Sequence, residues 1–276
     1  MKKLYLFLII GSLSISCEKP VEEVVKTETV CQIQKVSYDD GNYEVYKFDA
    51  NKRLESVILT YEDGGKIIEY PIKFEYNQAG NLLKGIGSDG WTDNYIYDAN
   101  GLLTKVEYKD EKGQIFDEFI VTMDAKKRIT KVVTKVDGIQ GTYEYNGPNG
   151  VFSKSEVKWE GKILDQYVIS GYETDQSKKG FDIAITGHPF DPAGFSSQAF
   201  YYPPFNFGPV NSLPTVGKVS TQYNDDWSEV TDKVRVYYDF KATRKFNSNN
   251  FVIERTSADA IENKNFIKTY AYSNCN

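Results

Sequence analysis

The sequence predicts an all-β fold: an antiparallel up-and-down meander of repeated hairpins, forming a closed soluble barrel or a strongly curled sheet. Three observations predict it. A segment recurs five times between about residues 44 and 160, each copy carrying the strand period of two and a turn signal at a fixed place. After it, β-branched and aromatic runs at 168–172, 181–186, 234–240, 251–256 and 266–272 are separated by polar turns. No stretch shows convincing helical periodicity, a short turn near 257–261 aside.

The first element is a leader. Lys2 and Lys3 precede an apolar run over residues 4–13, too short to span a bilayer as a helix and followed by small residues and Cys17. Leu13-Ser14-Ile15-Ser16-Cys17 looks like a lipobox, so residues 1–16 are expected to be removed and Cys17 to carry diacylglycerol. The usual Leu three places before the cysteine is Ser14 here, and Ser14 with Ser16 also suits plain secretion. Each buried lipid methylene contributes about 0.8 kcal/mol, so two or more acyl chains hold the protein without any membrane-inserting surface. Residues 17–29, with Glu18, Glu22, Glu23 and Glu28, read as lipidated cysteine and solvated tether. The address is the cell envelope, anchored by lipid to the outer membrane, periplasmic or surface-exposed.

Residues 30–276 read as one β-domain, since all-β barrels commonly reach this size as a unit. The chain has 33 Lys and Arg against 39 Asp and Glu, a net charge of −6 that deepens when Lys2 and Lys3 leave, so nucleic acid is disfavoured as a partner. With Cys17 acylated, Cys31 and Cys275 remain. An oxidising envelope favours pairing them, the alternative being two separate thiols. A bond would close nearly the whole folded chain, worth about 5 kcal/mol in the chain-entropy picture.

The repeat is anchored at Phe48, Tyr76, Tyr97, Met123 and Tyr145. Two places earlier stand Tyr46, Phe74, Tyr95, Val121 and Tyr143, on the same strand face. The next residue is Asp49, Asn77, Asp98, Asp124 or Asn146, whose side chain can fold back on the backbone and start a turn. Gly80, Gly101 and Asn149 follow three later and suit the left-handed conformation; Lys52 and Lys127 hold that place in two copies, where the turns are expected to differ. Leu54, Leu82, Leu103, Ile129 and Val151 start the returning strands. Five copies give about ten strands.

Residues 97–106, YDANGLLTKV, resemble the YD repeat of RHS proteins, a tyrosine-rich hairpin unit; the other copies are looser. Together with the lipobox, the segment Asn211-Ser212-Leu213-Pro214-Thr215 and the tail Tyr270-Ala271-Tyr272-Ser273-Asn274-Cys275, the whole chain resembles bacterial lipoproteins of unknown function that have a porin-like fold. The resemblance implies a soluble many-stranded barrel and no catalytic residues. A membrane-spanning barrel is disfavoured independently, because Lys105, Glu107, Lys131 and Lys135 put charge on the strands.

No catalytic constellation is expected. The single histidine, His188, lies in a Gly-His-Pro turn without a spaced serine motif or acidic cluster, and no Cys and His cluster suggests zinc. Asp98-Ala99-Asn100-Gly101 opens like a calcium loop but lacks the glutamate at the twelfth place. No cofactor or metal is therefore expected. The most unusual stretch is 188–218, rich in aromatics and proline and nearly uncharged, read as an irregular loop. Its Phe200, Tyr201, Tyr202, Phe205 and Phe207 are ligand-binding candidates, a stacking platform for a sugar or apolar ligand, or else a plug for the barrel. Trp91, Trp159 and Trp227 are scattered and read as core or rim residues. The expected function is non-enzymatic binding of a glycan or protein ligand, the alternatives being a structural or assembly protein and a glycan hydrolase.

Overall fold

The computed structural model describes residues 31–180, 211–224, 229–273 and 275. Its strands are β1 (Gln32–Tyr38), β2 (Tyr43–Phe48), β3 (Leu54–Asp63), β4 (Lys66–Tyr76), β5 (Leu82–Gly87), β6 (Thr92–Tyr97), β7 (Leu103–Lys109) and β8 (Ile115–Met123). They continue as β9 (Ile129–Thr134), β10 (Gln140–Glu144), β11 (Lys154–Trp159), β12 (Lys162–Tyr172), β13 (Pro214–Tyr223), β14 (Val230–Phe246), β15 (Val252–Asp259) and β16 (Lys264–Ser273). Each pairs antiparallel with its neighbours in sequence, and β16 returns to pair with β1, closing the barrel. Closure leaves no sheet edge for another chain to extend. The five repeats supply β2 to β11, ten strands as expected.

The anchors occupy equivalent places. In four copies the Asp or Asn carboxyl or amide oxygen accepts from backbone N–H groups ahead of it, as when Asp98 Oδ1 takes Asn100 N at 2.8 Å and Leu102 N at 2.9 Å. The backbone closes the same turn each time, Asp98 N donating to Leu102 O and Gly101 N to Asp98 O. The returning strand then bulges: Ile96 pairs with Lys105 but Tyr97 with Leu103, leaving Thr104 unpaired. The bulge turns residues three apart to the same face, so Leu54 and Val57, Leu103 and Val106, and Ile129 and Val132 are all buried in one core.

Successive repeats are interlocked by the anchors themselves. Tyr76, Tyr97 and Tyr145 donate their hydroxyls to the carbonyls of Leu54, Leu82 and Ile129 in the copy before, each at 2.8 Å. Met123 holds the place with its sulfur, which accepts from Leu103 N. Tyr172 on Phe152 O and Tyr272 on Val252 O continue the pattern outside the five copies. Phe246-Asn247 opens another such turn, with Asn250 at positive φ and Phe251 N on Asn247 Oδ1.

Two turn expectations are corrected. Lys52 and Lys127 take φ values of 62° and 59° and make the same turn as the glycine copies. An L-residue pays about 1 kcal/mol or more for that conformation. Both copies carry a compensating arginine: Arg53 and Arg128 bridge Asp49 and Asp124 at 2.7 and 2.6 Å and lie over the rings of Tyr76 and Tyr145. In the fifth copy the turn starts one residue late, at Gly147 and not Asn146. Gly150 then donates to Gly147 O, and Phe152 replaces Val151 as the first residue after the turn. Residues 257–261 are also not a helical turn but the end of β15 and the start of its hairpin. Residues 214–218, read as the end of the expected loop, belong to β13, which begins at Pro214, a strand-start position that needs no ladder N–H from proline.

Among the described residues, the buried apolar side chains face the lumen. The outward face is charged. Lys105 pairs with Glu107 at 2.6 Å and Glu118 at 2.8 Å, and Lys135 also reaches Glu118, whose carboxyl is held down to about 2 by those lysine hydrogen bonds. Glu156 is similarly bracketed by Lys154 and Lys158. A Lys or Arg placed at bilayer mid-depth would cost about 2 to 4 kcal/mol, which disfavours these strands as lipid-facing. A disulfide joins Cys31 to Cys275, with Cα atoms 4.6 Å apart and 244 residues between them. It lies at the end of the barrel that carries the repeat turns at 49–53, 77–81, 98–102 and 124–128, here the repeat end; the hairpins at 38–42, 87–91, 110–114 and 260–263 form the far end.

Candidate functional site

The candidate site is a cavity of 350 Å³ in the far half of the lumen, lined from β1, β12, β14, β15 and β16. It exists because the barrel closes: the β1–β16 pairing sets Tyr38 opposite Lys268, residues from opposite ends of the chain. β14 contributes by a bulge. Tyr238 pairs with Val219 and Val236 with Ser220, so Tyr237 is left out of the ladder and both adjacent tyrosines line the cavity. Adjacent residues on a regular strand would face opposite ways.

The wall is aromatic. Tyr167 stacks on Phe240 with ring centroids 6.0 Å apart, Phe240 stacks on Tyr238 at 5.4 Å, and Phe266 meets Tyr238 edge-on at 6.0 Å. Tyr237 donates to Asp165 Oδ1 at 3.2 Å and Tyr38 to Glu44 at 2.6 Å. Arg255 is 5% exposed and lies over the Phe240 ring, and Lys268 lies over Tyr38. Asp39, Asp40, Asp259 and Glu262 also line the space. Rings with a few convergent polar groups in a concavity of this size are the ordinary makings of a small-molecule pocket.

A second polar group sits in the wall beyond this cavity. Asp93 on β6 pairs across Tyr108 on β7 with Asp117 on β8, one row on the inner face. Asp117 Oδ1 accepts from Glu118 N at 2.7 Å and Val136 N at 3.1 Å, while Asp93 Oδ1, Asp117 Oδ2 and the Tyr95 hydroxyl have no hydrogen-bond partner. Burial pushes the Asp93 carboxyl up to about 7 and the Tyr95 hydroxyl well above its usual range. Trp91 packs on Tyr108 and Phe116 at the rim nearby.

The residues singled out from sequence are distributed unevenly. Cys17, the candidates Phe200, Tyr201, Tyr202, Phe205 and Phe207, and also His188 and Trp227 lie outside the described residues. Cys31 and Cys275 are brought together. Among the described residues no cluster of three or more His, Cys, Asp or Glu is placed to hold a metal, and the Asp98 carboxylate is occupied by its own turn. Sequence reasoning missed Tyr38, Tyr167, Tyr237, Arg255 and Lys268. The one local signal was the Tyr237-Tyr238 pair, which breaks strand alternation.

No protein-family model matches the chain, and no curated protein matches it. Among solved structures, a porin-like protein from Bacteroides uniformis is similar over 87% of this chain and 96% of its own, at 12% identity and a TM-score of 0.57. A porin-like protein from Bacteroides vulgatus matches over 87% and 98%, at 10% identity and a TM-score of 0.41. The TcdB2-TccC3-Cdc42 complex matches over 82% of this chain but 9% of its own, with a TM-score of 0.26. The last two likenesses are too loose to carry weight. The first establishes that this chain has a porin-like barrel fold, which meets the fold expected from the sequence resemblance.

Proposed function

We propose that the chain is a non-enzymatic envelope lipoprotein whose barrel binds a sugar-like ligand in the far-end cavity. The observation that carries the reading is the bulge in β14, which turns Tyr237 and Tyr238 into one concavity with Phe266 and Arg255. A sugar ring offers an apolar face to rings and hydroxyls to polar neighbours, and this lining supplies both. The lipobox supports an anchor at Cys17. The tether of residues 18–29 then leads to the repeat end, where the folded chain begins at Cys31, and reaches at most about 45 Å. The cavity faces away from the anchored end, toward whatever the envelope presents.

A glycan array probed with the mature chain tests binding. At least one glycan should bind, and Tyr237→Ala should weaken it about tenfold, the worth of one aromatic contact. No binding across the array would reject the reading in favour of a structural or assembly role. Cys17→Ser should release the protein from membranes, and an unchanged membrane fraction would refute the anchor.

A further inference from the structure

The far rim carries a second aromatic surface, built by a second bulge. On β8, Asp117 pairs with Tyr108 and Ile115 with Lys109, so Phe116 is left out of the ladder. A regular strand would send Phe116 and Asp117 to opposite faces. Here the Phe116 ring meets Tyr108 edge-on at 6.0 Å and Trp91 at 5.4 Å, and Trp91 lies 4.8 Å from Tyr108. Bulges recur beside functional sites, where they re-aim a side chain.

The three rings are held from below and from the side. Tyr108 stands in one row between Asp93 and Asp117, both buried. Trp91 N donates to Asp89 Oδ1 at 3.1 Å, and the Tyr70 hydroxyl donates to the same oxygen at 2.9 Å. The hairpins at 87–91 and 110–114 approach closely because Gly90, at a φ of 87°, has no side chain; a Cβ there would lie 3.2 Å from Glu111 Cβ. A surface fixed in advance has little freedom left to lose on binding.

Its chemistry differs from the wall around it. The outward faces of β7 to β9 carry Lys105, Glu107, Glu118 and Lys135 in ion pairs, whereas Phe116 is 59% exposed and Ile115 beside it 52%. The rings are accompanied by the Trp91 indole N–H, the Tyr108 hydroxyl and the Asp89 carboxylate. Burial first, then the charges of Asp93 and Asp89, push the Tyr108 hydroxyl up to about 12, so it stays a hydrogen-bond donor. A purely apolar partner would strip these polar groups of water without replacing it. A pyranose has an apolar C–H face for the rings and hydroxyls on its edge for the polar groups.

We infer that Trp91, Tyr108 and Phe116 form a second sugar-stacking subsite, so that the ligand of the barrel is a glycan chain and not a single unit. The inference rests on the binding role proposed above and adds the length of the ligand and the place of its further units. Trp91 and the cavity residue Asp39 sit on hairpins of the same rim, four strand spacings apart, about 19 Å along the wall. A disaccharide falls short of that span; an octasaccharide covers it.

Titration calorimetry with the mature chain separates the possibilities, using neutral β-glucan, mannan, galactan and xylan probes, each as the disaccharide and the octasaccharide. In at least one series the octasaccharide should bind about tenfold tighter, or more, than the disaccharide. Trp91→Ala and Phe116→Ala should each weaken the octasaccharide about tenfold, the worth of one aromatic contact, and leave the disaccharide unchanged. Tyr237→Ala should weaken both lengths. Equal affinity for the two lengths, or an octasaccharide untouched by both rim variants, would overturn the inference while leaving the cavity's role standing. Losses confined to the rim variants, with Tyr237→Ala harmless, would overturn the cavity's role and leave the rim subsite. Failure of every probe would overturn both. Cooperative melting of each variant guards against misfolding, and Phe116→Ala, at the more exposed ring, carries the test if Trp91→Ala does not fold.

Discussion

Asp93 offers a stability measurement whose sign and size both follow from its surroundings. The carboxyl is 4% exposed, its Oδ1 has no hydrogen-bond partner, and burial raises its pKa from the ordinary 3.8 to about 7. A carboxyl with a raised folded-state pKa fits the fold as the neutral acid. Its contribution is fully present below 3.8 and is lost as pH rises through 7. Linkage over those two values puts the loss between pH 5 and pH 8 at about 2.5 kcal/mol. Asp93→Asn keeps the shape and cannot ionise. Urea midpoints of wild type and Asp93→Asn at pH 5, 6, 7 and 8 should therefore diverge, the variant gaining relative stability as pH rises. Asp49, Asp124 and Glu118, all with lowered pKa values, titrate in both proteins and cancel in the difference. Parallel pH profiles would show that Asp93 is ionised or hydrated in the fold and would refute the reasoning.

Other consequences are measurable by the same melts. Lys127→Gly should stabilise by roughly 1 kcal/mol, because glycine removes the cost of a left-handed lysine; a lower melting temperature would mean that Lys127 makes a stabilising contact. Tyr97→Phe should cost about 1 kcal/mol through the lost bond to Leu82 O, while Tyr61→Phe, at a half-exposed ring, should be neutral. Equal effects at the two sites would deny the interlocking role of the anchors. Cys31→Ser with Cys275→Ser should lower stability by up to about 5 kcal/mol, and a digest of the unreduced protein should yield one linked peptide. Two free thiols in that digest would reject the bond.

What was legible in the sequence is what is local. An Asx turn, its left-handed residue and the apolar pairs flanking it lie within ten residues, so the anchors could be aligned without coordinates. The fifth copy slipped by one because Gly147-Pro148-Asn149-Gly150 offers two residues that can take positive φ, and the turn uses the later register. The Lys turns were misjudged for a non-local reason: the cost is offset by Arg53 and Arg128, which rest on tyrosines of the next repeat. The copy at Phe246 was hidden because Arg244 stands two places before it, where the five copies carry an apolar residue.

The candidate site was barely legible. Tyr38, Tyr167, Tyr237, Arg255 and Lys268 meet only because β16 returns to β1 and because one bulge in β14 reverses the alternation. Closure leaves no short-range mark, and the bulge leaves only the adjacent Tyr237-Tyr238 pair. The aromatic loop drew attention by composition, and its candidates at 200–207 lie outside the described residues.

Closure of the barrel is the claim on which the cavity and the orientation of the far end both depend. Amide hydrogen exchange over β1 and β16 tests it directly, with β4 and β5 as internal references. Paired terminal strands should exchange as slowly as the references, Val36 and Tyr270 included. Rapid exchange along one side of β1 or β16, as at an open edge, would contradict it.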